Sequence, residues 1–190
     1  MIPSKAELIS IVRKYYDSSN AFLFTTEPSP EKKRHDERWE QWTANMAPWK
    51  AFRAALRNAL PNHKIGETYP SADGGPRCLV HLHQDVWVPT SNWTVVGCVS
   101  LLAPVYFVHG VEWDYIDGRV QNPRAHFEAP PHDMAWPTEV VARTIETVFG
   151  FSALAREIAE TPVPLYAGLL EPHETTLFHA LFTSEPGNIP

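Results

Sequence analysis

The chain has 190 residues, 44% hydrophobic and 20% charged, a globular balance that excludes disorder as the main state and suits one core rather than two. A formal net charge of −6 repels phosphate backbones, so non-specific nucleic-acid binding is disfavoured. No apolar run nears the ~20 residues of a bilayer span, and residues 1–7 lack the basic start and apolar core of a signal peptide, so a cytoplasmic protein without membrane attachment is expected.

Ser4 and Glu7 form a capping-box pair, and Leu8, Ile11, Val12 and Tyr15 follow at helical spacing, which predicts a helix over 4–17. Residues 21–24 form a short apolar plug. Ser29 and Pro30 open a second helix as cap and first helical position. Its mixed charges from Glu31 to Arg38 read as a solvated face. Trp39, Trp42, Met46, Trp49, Phe52 and Leu56 recur every three or four residues as an aromatic stripe suited to a core. Pro48 predicts a break near Ala47.

A short strand over 65–69 and a Gly-Gly-Pro turn lead into the sheet. In the strand that follows, Cys78, Val80 and Leu82 alternate with Leu79, His81 and His83. The nearly continuous apolar run over 94–102 predicts a central strand covered on both faces, and Pro104 a corner before the strand over 105–113. Asp117-Gly118 is a hairpin signal between 112–116 and 119–128, with Asn122-Pro123 marking the second arm as an edge. Pro137 opens a third helix that ends at Gly150, a short helix follows over 151–158, and the tail docks through Leu177, Phe178, Leu181 and Phe182. The expected fold is a single α+β domain over 1–190. Its mostly antiparallel sheet of four or five strands is packed on one face by N-terminal and C-terminal helices.

His81 and His83, two apart on a strand, point from one face, as sheet-borne metal ligands do, with Asp85 continuing that face. A zinc site would need a third ligand, for which His109, Glu112 and His126 are the candidates. The competing account is a polar strand face opposite an apolar one. Cys78 and Cys98 sit in apolar strand contexts and are expected to be free and buried. No phosphate loop, nucleophile elbow, metalloprotease helix, CxxC pair or EF-hand loop is present.

Glu112, Trp113, Asp114, Tyr115 and Asp117 place carboxylates around aromatic rings, an arrangement that suits a basic protein partner. In size, charge and lack of catalytic motifs the chain is similar to small bacterial immunity proteins, which neutralise toxins by binding them. The leading expectation is therefore a cytoplasmic, non-enzymatic protein-binding domain of that type, without a cofactor. The alternative is a small metal-dependent enzyme or metal-binding protein built on His81 and His83. A homodimer joined through Trp39, Trp42 and Trp49 is a third.

Overall fold

The computed structural model describes residues 2–18, 27–81, 92–117, 119–128, 130–168 and 170–189. Three helices come first: α1 (Lys5–Val12), α2 (Pro30–Ala44) and α3 (Ala47–Ala59). The sheet follows with β1 (Lys64–Thr68), β2 (Arg77–His81), β3 (Trp93–Val99), β4 (Val105–Ile116) and β5 (Arg119–His126). Helix α4 (His132–Phe149), the short strand β6 (Ser152–Ala153), and the short helices α5 (Arg156–Ala159) and α6 (Leu177–Leu181) complete the order.

The local rules that start and stop these elements are the expected ones. Ser4 accepts from the Glu7 amide while Glu7 returns to the Ser4 amide at 2.7 Å, closing the capping box. Ser29 accepts from the Lys32 amide with Pro30 beside it, and the chain breaks between Ala44 and Ala47 where Pro48 cannot continue a helix. Gly150 ends α4 in the left-handed region at φ 68°, a conformation glycine adopts without strain.

Strands β1 to β5 pair in chain order and all antiparallel, while β6 adds a parallel pairing to Val105 and Tyr106. The register aligns Leu79 with Val96 and Val96 with His109, which sets one face of the sheet. On that face Leu79, Val96, Phe107 and Val111 bury against Leu8 and Val12 of α1 and Phe178 and Leu181 of α6. On the other, Cys78, Val80, Val95 and Tyr106 bury against Trp49, Phe52 and Leu56 of α3 and Val141 and Ile145 of α4. Expecting helices on one face only was therefore wrong. The twofold apolar character of β3 requires cover on both sides, and the chain supplies it by sending α3 and α4 to the face opposite α1 and α6. Helix α4 sits close enough that a Cβ on Gly97 would lie 2.6 Å from Val141 Cγ1 and 2.8 Å from Cys78 Sγ, so glycine is needed there.

Several element boundaries differ from expectation: α1 ends at Val12 rather than at 17, and β3 at Val99 rather than at 102. Helix α4 begins at His132 rather than near Pro137, because the additional turn buries Met134, and Thr138 Oγ1 donates back to the Met134 carbonyl at 2.8 Å. The helix expected over 151–158 is instead β6 followed by α5, since Leu154 N–H finds the Tyr106 carbonyl at 2.9 Å. The plug expected over 21–24 lies outside the described residues. Among the described residues, no helix is long and apolar enough to cross a membrane.

Candidate functional site

Where the end of α1, the start of α2, the turn over 70–76 and the C-terminal segment meet, they leave a cleft of about 400 Å³, within the size range of small-molecule sites. Its position follows from local structure. The Ser29 cap sets the phase of α2, so Lys32 and His35, three residues apart, line the cleft from one helix side. Trp39, one turn further, donates its indole N–H to the Asp73 carbonyl at 2.8 Å and pins the turn to the helix. Asp73 N–H in turn reaches the Pro70 carbonyl at 2.9 Å. The two glycines that follow permit close backbone packing: a Cβ on Gly75 would stand 1.8 Å from the Val99 carbonyl oxygen, and one on Gly74 2.4 Å from Leu181.

Arg77, the first residue of β2, lies at the floor and is only 3% exposed. Its Nη1 donates to the carbonyls of Glu185 and Asn188, each at 3.1 Å, and ties down the C-terminal segment. Nη2 stands 3.6 Å from the Asp73 carboxylate, which also accepts from the Ser184 amide at 3.3 Å. Arg77 Nε–H is buried without a hydrogen-bond partner among the described residues. His35, 3% exposed, has its Nε2 3.5 Å from the Tyr16 hydroxyl. Tyr15, Tyr16, Tyr166 and Pro70 make much of the remaining wall.

Burial dominates the acid–base character of this site. It holds the His35 imidazole below its ordinary value, helped by the Lys32 ammonium and opposed by Asp36 and the Asp73 backbone. It pushes the Tyr16 phenol up, and the Asp73 charge adds to that. Burial also raises Asp73, against the Thr183 hydroxyl, Arg77 and the Ser184 amide. At neutral pH the cleft thus presents an uncharged imidazole and a protonated phenol beside a fixed guanidinium.

This site was missed in the sequence. His35 was read as part of a solvated charged face, and Asp73 as part of a flexible turn. The usable signal was the spacing of His35 and Trp39: carried back four residues, the aromatic stripe puts His35 on the buried side. The stripe itself packs as expected, with Trp39, Trp49, Phe52 and Leu56 buried and Trp42 and Met46 partly so. Trp39 and Trp49 are therefore enclosed by this chain's own core, and of the three only Trp42 remains for a second copy.

Of the metal candidates, His81 and His109 are among the described residues and do not meet. His81 Nδ1 is 3.1 Å from the Thr94 hydroxyl. His109 lies two strands away on β4, about 10 Å across the sheet, in register with Val96 rather than with Thr94. Its Nε2 is 3.1 Å from the Pro186 carbonyl, and its ring is packed by Phe107, Phe127 and Phe178. His109 therefore packs away from His81. His83 and Asp85 lie outside the described residues. Glu112 and His126 do meet, 3.2 Å apart, but with Arg124 rather than with His81. Among the described residues no three His, Cys, Asp or Glu side chains converge as a metal site.

At the hairpin, Glu112 and Asp114 share a strand face as expected, and both engage Arg124; Asp114 also accepts from Asn122 at 2.9 Å. These partners hold the Asp114 carboxyl below its ordinary range, Arg124 first. Trp113 is only 5% exposed and donates to the Thr94 hydroxyl at 3.2 Å, which corrects its assignment as a surface contact: its ring turns inward. Asp117 is exposed at the tip, and the Tyr115 side chain lies outside what is described.

Comparison with known proteins gives no match to a family model, to a curated protein or to a solved structure.

Proposed function

We propose that this is a cytoplasmic binding protein whose site is the cleft beneath α2, and that it takes a small organic molecule. One observation carries the reading: three ionisable side chains from separate elements, His35, Asp73 and Arg77, are buried together with Tyr16 around a cleft of about 400 Å³. Burying such groups is costly unless packing or function retains them, and their gathering in a concave, aromatic-walled space is what ligand sites share. What the cleft gathers are hydrogen-bonding groups, an uncharged imidazole, a phenol and a guanidinium tied to backbone carbonyls, which supports reading it as a receptor. The test is a ligand-detected NMR screen with a diverse small-molecule library, run on the natural protein and on Ala72→Trp. Ala72 is an exposed residue of the cleft wall, so an indole there fills the mouth without disturbing the core. Hits that vanish in the variant are expected; hits unaffected by it, or none at all, would sink the reading.

A second reading keeps the β4–β5 hairpin as a docking element for a basic protein, in the manner of an immunity-type protein. Its support is Ile116, 43% exposed beside the acidic Asp117 at the tip. Replacing both, Ile116→Ser with Asp117→Lys, would then abolish capture of basic proteins by the immobilised chain. Unchanged capture would remove it.

A further inference from the structure

Resting on the cleft as a binding site, the geometry points to its occupant's class: an organic cation, a primary ammonium on an apolar body, whose N–H groups donate to the Glu185 carboxylate while the body fills the cleft. Charge argues first. Lys32 and Arg77 line the space, and each has a carboxylate of its own: Lys32 is paired with Asp36, and Arg77 faces Asp73 at 3.6 Å. Asp17 and Glu185 line it too, and they leave the surroundings negative. Among the described residues Glu185 has no cation at ion-pair distance, and its carboxylate accepts only from the Asn188 amide, at 2.7 Å. Its charge reaches into the cleft: burial raises Asp73, and Glu185 adds to that rise. The uncharged His35 and Tyr16 bring no positive charge to offset it. An entering ammonium would supply the missing counter-charge, whereas an entering carboxylate would add to the excess.

The carboxylate is also held ready. Glu185 N–H donates to Thr183 Oγ1 at 3.1 Å, and its carbonyl accepts from Arg77 Nη1 and from the Asn188 N–H, each at 3.1 Å. Asn188 Nδ2 then fixes Oε2, so backbone and side chain are both tied down, while Oε1 accepts no hydrogen bond among the described residues. An acceptor set in advance costs a ligand little ordering, and a charge-assisted hydrogen bond to it is stronger than a neutral one. The rest of the molecule is specified by the walls. The surface facing the space is mostly carbon, from Tyr15, Tyr16, Pro70, Ala72 and Tyr166 among others, and suits a hydrocarbon body rather than a second charge.

Three probes on one scaffold, titrated into the full chain by ligand-detected NMR at low salt, test this: naphthylmethylamine, naphthylmethanol and naphthoate. The amine is expected to bind roughly three- to fivefold tighter than the alcohol, the upper range for an exposed ion pair, and naphthoate weakest of all. Glu185→Gln keeps an oxygen for Asn188 and removes the charge, so it should bring the amine down to the alcohol and leave the alcohol unchanged. On the natural protein alone, salt at about 1 M, where the screening length is about 3 Å, should erase the amine's lead as well. Ala72→Trp should abolish binding of both. Equal binding of amine and alcohol, tightest binding of naphthoate, or a lead that survives Glu185→Gln or high salt would overturn the class. So would failure of all three probes, or an amine that binds Ala72→Trp as it binds the natural protein. None of these results decides the cleft reading, which stands or falls on the library screen with Ala72→Trp.

Discussion

Replacing His109 with phenylalanine separates two effects that acid mixes in the natural protein. The imidazole is buried among Phe107, Phe127 and Phe178, with Nε2 toward the Pro186 carbonyl. Burial depresses it from 6.5 to about 4, with Arg77 adding to the depression and the Pro186 carbonyl opposing it. A depressed histidine stabilises the fold fully above its unfolded value, and that contribution is lost as pH falls from about 6.5 toward about 4, because the unfolded chain takes up the proton first. Over that window the loss amounts to roughly 3 kcal/mol, at 1.36 kcal/mol for each pH unit. Phenylalanine fills the ring's place but leaves the Pro186 carbonyl without its donor, a cost of about 1–3 kcal/mol that does not depend on pH. Urea unfolding from pH 7 to pH 4 is the assay. The natural protein should lose roughly 3 kcal/mol more over this range than His109→Phe, since every other titrating group is common to both. Parallel stability curves would refute the buried, neutral imidazole.

Three further outcomes follow from the packing. Trp39→Phe keeps a ring in the core but removes the donor to the Asp73 carbonyl, and should cost about 1–3 kcal/mol in urea melts; a change within error would show that this bond does not hold the turn. Gly75→Ala places a methyl 1.8 Å from the Val99 carbonyl oxygen and should prevent native folding, read as loss of the near-ultraviolet signal. Native spectra at room temperature would show that the turn can move away from β3. Burial pushes the Cys78 thiol up to about 12 and Cys98 higher still, so a disulfide reagent should label neither in the folded protein and both in denaturant. Rapid labelling of the native chain would contradict their burial.

Much of the framework was legible in single residues. Ser4 with Glu7, Ser29 with Pro30, Pro48 and Gly150 act over three or four positions, and each starts or stops a helix as its chemistry dictates. The strand alternation told which side chains share a face, and it rightly put Glu112 and Asp114 together. What alternation cannot tell is what lies across the strand. Arg124 meets those carboxylates because β5 sets it opposite Glu112 and within reach of Asp114, and that register arises in the pairing of two strands. The same limit applies to His81 and His109: both are strand histidines, and only the order of the strands puts β3 between them.

The sequence by itself determined most of the elements, the α+β class and the stripe that becomes core, since helix caps, breakers and periodicity work within a few bonds of the residues that carry them. Only the tertiary structure decided the cleft. Its parts are contributed by residues around 16, 35, 73 and 77 and by a tail that meets Asp73 through the Ser184 amide, 111 positions away. Contacts at that distance leave no local pattern, because they join residues far apart in the chain, as the Arg77 bonds to the Glu185 and Asn188 carbonyls also do.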